Sequence, residues 1–154
     1  MTTIVTPNEG MVLTMESEPL GPLLKRVHKS ANHLLRRILE PLGLTPVQAT
    51  ALGHLLGQDG LSLNELAERM HTDAPTLSGV VDCLVTAGYA ERRADSQDRR
   101  RLRLFATEKA WQIQSTLQQA EARRELALTR GLSTSEVSQL KALLQRVRDA
   151  EGEE

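Results

Sequence analysis

The chain has 154 residues and a formal net charge of −1; 40% of it is hydrophobic and only 2% aromatic. That length can bury one real core, made of Leu, Val and Ala rather than aromatic rings. One cysteine excludes an intrachain disulfide framework and fits a reducing cytoplasm, no His/Cys cluster has metal-ligand spacing, and no apolar run reaches the roughly 20 residues that span a bilayer. The start has no basic region ahead of an apolar run, so no signal peptide is expected.

Residues 1–19 show no periodicity and are expected to be disordered. Leu20, Leu23, Leu24, Val27, Ala31, Leu34, Leu35 and Ile38 recur at helical spacing and predict a long amphipathic helix that Pro41 stops. His28 and His33 on its polar side read as solvated surface; the sharper alternative puts one of them in a ligand pocket. Thr45 and Gln48 form a capping box with Pro46 at the first helical position, and the helix runs to Gly57.

Ser62 and Glu65 make a second capping box, followed by Leu63, Leu66, Ala67 and Met70 at helical spacing. His71-Thr72-Asp73 breaks that pattern, and Thr72 or Asp73 can cap a second helix with Pro75 in its first turn. Leu77, Val80, Val81 and Leu84 form its apolar face, and Gly88 ends it. Two helices joined by so short a turn make a helix-turn-helix or an ordinary helical hairpin. Tyr89 to Arg92 can form a short strand, and Arg101 to Ala106 alternates with the period of a half-buried strand. Six arginines stand between Arg92 and Arg103 against Asp95 and Asp98. A strand pair with a basic tip beside two helices is a winged helix-turn-helix, placed at 45–107.

Trp111, Ile113 and Leu117 begin a long helix expected to reach Thr129, and Gly131 breaks it. Ser133 or Thr134 caps the last helix, where Val137, Leu140, Leu144 and Val147 form a seam for another helix. An acidic tail occupies 151–154. The expected fold is mainly α with a small β-hairpin wing. The helical segments 20–40 and 110–150 carry more apolar surface than the winged unit can bury. A homodimer through them is expected, with intrachain packing as the alternative.

The runs Leu66-Ala67-Glu68-Arg69, Asp82-Cys83-Leu84, Gly88-Tyr89, Glu91-Arg92-Arg93 and Asp98-Arg99-Arg100, with Leu44 to Gln48 upstream, resemble the MarR family of bacterial transcriptional regulators. Asp98-x-Arg100 matches that family's wing motif, and the similarity covers roughly Leu20 to Val147. The resemblance implies a dimeric regulator of double-stranded DNA, most often a repressor, released by a small effector or by oxidation. It also implies a pocket between the first helix, the Thr45 helix and the Trp111 helix.

Thr72, Thr76, Ser78, Gly79 and Asp82 are the candidate recognition-helix contacts. Small and polar groups on an outward face can approach base edges in the major groove. Asp82 can accept from a cytosine amino group or orient a neighbouring arginine. Arg93, Asp98, Arg99, Arg100 and Arg101 are the candidate wing contacts; Arg100 can pair with Asp98 within the hairpin or reach a minor groove, and the resemblance implies that the two coexist, the pair fixing the loop that reaches the DNA. The sequence departs from the family in having no Lys or Arg from His71 through Glu91. The wing must then supply most phosphate contacts, or the chain is a protein-interaction module that has lost DNA binding. Cys83 is expected at the margin of the recognition helix, buried or half-buried, and not an obligate redox sensor. With no Gly-rich phosphate loop, metal spacing or nucleophile motif, neither catalysis nor a cofactor is expected.

Overall fold

The computed structural model describes residues 18–150 together with the backbone of two short strands, β1 (Ile4–Val5) and β2 (Val12–Leu13). These two pair antiparallel, Ile4 against Leu13, within the stretch that shows no sequence period. The rest of the expected N-terminal tail and the acidic tail lie outside the described residues.

Helix α1 (Leu20–Leu39) does not stop sharply at Pro41. It tightens into a 3-10 turn at Glu40–Leu42 and closes on Gly43, whose φ is +65°. Helix α2 (Pro46–Gly57) and helix α3 (Leu63–Arg69) begin with the expected capping boxes. Thr45 N–H donates to Gln48 Oε1 at 2.8 Å, and Ser62 N–H donates to Glu65 Oε2 at 2.7 Å. Helix α4 (Ala74–Thr86) is capped by Asp73, whose Oδ1 accepts from Thr76 N–H at 2.8 Å. Thr72 instead closes α3: its N–H reaches Ala67 O at 3.0 Å while His71 N–H reaches Glu68 O at 3.1 Å. This closure places His71 at φ +51°, a left-handed position usually given to glycine. Gly88, at φ +77°, ends α4 with the same pair of bonds.

Strands β3 (Ala90–Ala94) and β4 (Leu102–Ala106) pair antiparallel from Ala90 against Ala106 to Ala94 against Leu102. Tyr89 lies just before β3 rather than in it, buried, with its hydroxyl donating to Leu42 O at 2.9 Å. The other edge of β4 is covered by Leu61, whose carbonyl accepts from Leu104 N–H at 2.8 Å. The wing therefore grows out of the turn that precedes α3.

The expected single helix from Trp111 is two. Helix α5 (Glu108–Gln112) starts earlier, on a Thr107 cap, and helix α6 (Gln114–Thr129) follows after a break at Ile113. Thr107 Oγ1 accepts from Ala110 N–H and donates to Gly88 O at 2.6 Å, which ties the helix start to the end of α4. Helix α7 (Thr134–Ala150) carries a third capping box, Ser133 with Glu136.

One leucine-rich core joins α1 to α6 and β4; Leu39, Leu52, Leu55, Leu66, Leu77 and Leu84 are fully buried in it. Burial of each such side chain contributes about 1.5–3 kcal/mol. Helix α7 has no buried residue, and Leu140, Leu143 and Val147 on it are exposed. So are Leu20, Leu23, Leu24 and Val27 on α1. Among the described residues, no helix is long and apolar enough to cross a membrane.

Candidate nucleic-acid interface

Helix α4 buries Leu77, Val81 and Leu84 and turns Pro75, Thr76, Gly79, Asp82, Cys83 and Thr86 outward. Gly79, Asp82, Cys83 and Thr86 follow i, i+3, i+4, i+7, a single stripe along the helix. That spacing corrects the expectation for Cys83, which is exposed rather than buried or half-buried. Ser78 and Thr72 are half-buried at the edges of the stripe. Thr76 Oγ1 donates to Asp73 Oδ2 at 2.8 Å, which leaves its lone pairs outward. A Cβ on Gly79 would meet nothing within 4 Å, so no internal contact requires glycine there.

Asp82 meets a neighbouring arginine. Arg92, on β3, donates to its Oδ1 at 2.6 Å. The acid on the outward face is thereby neutralised by a cation reaching across from the wing.

The wing loop is built on Asp95. Its Oδ1 accepts N–H groups from Gln97 at 2.7 Å and Asp98 at 3.2 Å, and its Oδ2 accepts Arg103 Nε at 2.6 Å. The Arg103 guanidinium first, then those backbone donors, lower the Asp95 carboxyl to about 2. Arg103 also donates to Glu65 Oε2 at 2.8 Å and to Gly60 O at 3.2 Å. Its own pKa is raised, chiefly by Asp95. Neither Asp95 nor Arg103 stood out in the sequence, where each counts only as a charge in a charged run. The readable signal was an Asp two residues ahead of a loop N–H, the pattern of an Asx turn.

The expected side-chain pair of Asp98 with Arg100 is not made. Asp98 Oδ1 accepts the backbone N–H of Arg100 at 3.1 Å, and its Oδ2 faces Arg101 Nε at 3.5 Å. Asp98 thus holds the Arg100 backbone and makes no ion pair with its guanidinium. Arg93 pairs with Glu91 and lies over the Phe105 ring, 4.5 Å from its centroid. Arg99 and Arg100 are exposed and make no ion pair among the described residues. Of the six arginines, these two alone lack an acidic partner among the described residues.

Residues 42–101 match the family model described as MarR family. The exopolysaccharide II synthesis transcriptional activator ExpG of Rhizobium meliloti is 32% identical over 115 residues, 73% of this chain and 59% of that protein. The chain thus spans less than two thirds of that relative's length. A variant of E. coli MarR complexed with operator DNA is 28% identical, with a TM-score of 0.77 over 84% of this chain and 93% of that one. In sequence over these stretches and in fold, the chain is similar to the MarR family. The S. aureus MepR–DNA complex is similar as well, 25% identical with a TM-score of 0.82 over 87% of this chain and 99% of that one. Among the described residues, seven α-helices and a two-stranded antiparallel wing match the winged-helix fold of the MarR-family structures.

The chain also holds a cavity of about 410 Å³ between α1, α2 and α6. Leu35, Leu39, Leu56 and Leu117 supply apolar walls; His54, Gln118 and Arg124 supply polar ones. Burial lowers the His54 pKa, with Arg69 and His71 pushing the same way. His28 and His33 are exposed and do not line it; His28 faces Asn32 at 2.8 Å. His54 was not singled out in the sequence, where a histidine amid leucines carries no site pattern.

Proposed function

We propose that the chain is a dimeric DNA-binding transcription regulator. The single observation that carries this is the pairing of an outward, small and polar α4 stripe with two arginines, Arg99 and Arg100, that the fold leaves uncommitted. The stripe suits base edges in a major groove, and the wing arginines suit phosphates or an adjacent minor groove. The MarR complex with operator DNA and the MepR–DNA complex support the same reading.

The dimer forms through α1 and α7. Their exposed Leu20, Leu24, Leu140 and Leu143 need a cover, and a second copy offers the same seam. Two α4 helices then meet successive major grooves about 34 Å apart on a pseudo-palindromic site. Bound there, the protein represses by occlusion; a site placed to recruit transcription would make it an activator, as the ExpG relative is described. A small effector in the cavity between α1, α2 and α6 acts by favouring one spacing of the two α4 helices over the other.

The test is a mobility shift with the chain's own upstream intergenic DNA against a random duplex, together with light scattering. A sequence-selective shift by a dimer is expected. A folded monomer at micromolar concentration would remove the dimer, and no shift at low salt would remove the DNA. The second outcome favours a protein-interaction module, the reading that the absence of Lys and Arg from His71 through Glu91 supports.

A further inference from the structure

We propose that Arg103 is the positioning residue of the wing: forked between Asp95 and Glu65, it fixes where Arg99 and Arg100 stand beside α4. This rests on the DNA-binding reading and adds to it a residue that does not itself touch DNA.

Arg103 lies on β4 with three acceptors on three different segments: Asp95 in the wing loop, Glu65 in the first turn of α3, and Gly60 in the turn before it. Its side chain is 29% exposed. Asp95 in turn holds the N–H groups of Gln97 and Asp98, and its own N–H donates to Arg101 O at 2.8 Å. Bonded groups therefore run without a gap from α3 through Arg103 to the loop that carries Arg99 and Arg100. Helix α3 joins α4 through the His71 closure, so the fork sets the wing in the frame of the recognition helix. A two-stranded hairpin has little rigidity of its own, and this fork supplies it. Two carboxylates balance the Arg103 charge, so it is not the cation that phosphates meet. Its planar guanidinium satisfies both acids at once; a lysine amine is a point charge on a flexible stem.

The test opposes simple electrostatics to positioning. Asp95→Asn removes a negative charge close to DNA, so on charge alone binding should tighten. Positioning requires it to weaken, by about tenfold per wing if the competent pose falls to about a tenth of the population. Arg103→Lys keeps the charge and should weaken binding in the same way. Arg123→Lys, exposed on α6 and outside the wing and α4, should stay within about twofold of wild type. The full-length chain and these three variants are titrated on the upstream duplex, with hydroxyl-radical footprints and amide exchange of the DNA-free protein. The footprints of Asp95→Asn and Arg103→Lys should lose the wing's protections and keep those of α4, and exchange at Gln97 and Asp98 should rise. Wild-type or tighter binding by Asp95→Asn, or wild-type binding by Arg103→Lys, overturns the proposal. If the wild type itself binds no duplex, the DNA reading falls separately. Unchanged exchange in both variants then overturns the fork as well.

Discussion

Arg92 on the first wing strand donates to Asp82 on the outward face of α4, 2.6 Å from nitrogen to oxygen. The pair joins the two elements proposed to touch DNA and cancels the only acid on the α4 stripe. Asp82 is 60% exposed and Arg92 is 29% exposed, so the bridge contributes little to stability, about 0.2–1 kcal/mol. Its larger effect is on binding. Arg92→Ala should weaken binding to cognate and random duplexes alike, because it bares Asp82 to phosphate. Adding Asp82→Ala should restore most of the loss. A change in preference at one C·G pair in Asp82→Ala alone would instead make Asp82 a base reader.

The uncommitted tip arginines should set the salt dependence. Each phosphate contact contributes roughly one to the log–log salt slope, so Arg99→Ala in a dimer should lower its magnitude by about two. Arg100→Ala should do the same and no more, since Asp98 holds the Arg100 backbone N–H, which alanine keeps. On duplexes with a narrow A·T-rich flank Arg100→Ala should lose most. Salt titrations indistinguishable from wild type for both variants would leave the wing without an electrostatic role.

Gly79 stands in open space in the middle of a helix. Gly79→Ala should raise stability by about 0.5–1 kcal/mol through backbone entropy. If the α4 stripe approaches base edges closely, the same methyl should weaken cognate binding. Thermal unfolding and the mobility shift, run on one preparation, check both signs; unchanged affinity would place Gly79 outside the contact.

Acid should act at two places. His54 has its pKa lowered from 6.5, so the unfolded chain takes up that proton at a higher pH than the folded one. The His54 contribution to stability is complete above about 6.5 and declines as pH falls below it. His54→Gln should flatten stability across that range. Asp95 falls from 3.8 to about 2, so its contribution is complete above about 3.8 and lost as pH drops towards about 2. Asp95→Asn should erase that second decline, and urea melts between pH 2 and 8 read both.

What was legible in the sequence was local. The capping boxes at Thr45 and Ser62 each close over three residues, and the Gly88 ending needs only a left-handed residue after an apolar stripe, so spacing alone reveals them. The outward stripe of α4 follows from helical winding, but Cys83, expected at its margin, lies within it, and Ser78 lies at its edge. The start of α5 ahead of Trp111 was not legible, because it is fixed by a tertiary contact, the Thr107 bond back to Gly88; the break at Ile113 has no local sequence signal. Nor was the Arg103 fork, whose partners lie 8 and 38 residues away in sequence. Alternation placed Arg103 on a strand but could not say what its side chain would meet. The wing motif pointed to Asp98 and Arg100 as a pair of side chains; the turn makes them a side chain and a backbone.

The chain has one tryptophan and one tyrosine. Trp111 lies on α5, 41% exposed, between the end of β4 and the start of α6 that lines the cavity. Tyr89 is buried beside the same joint, under the Lys109 ammonium at 4.3 Å. Excited at the red edge of the indole band, where the phenol of Tyr89 does not absorb, emission comes from Trp111 alone, seated on the joint between β4 and α6. A small molecule that enters the cavity and a duplex that engages the wing would each be read as a shift in the same band, without any attached dye.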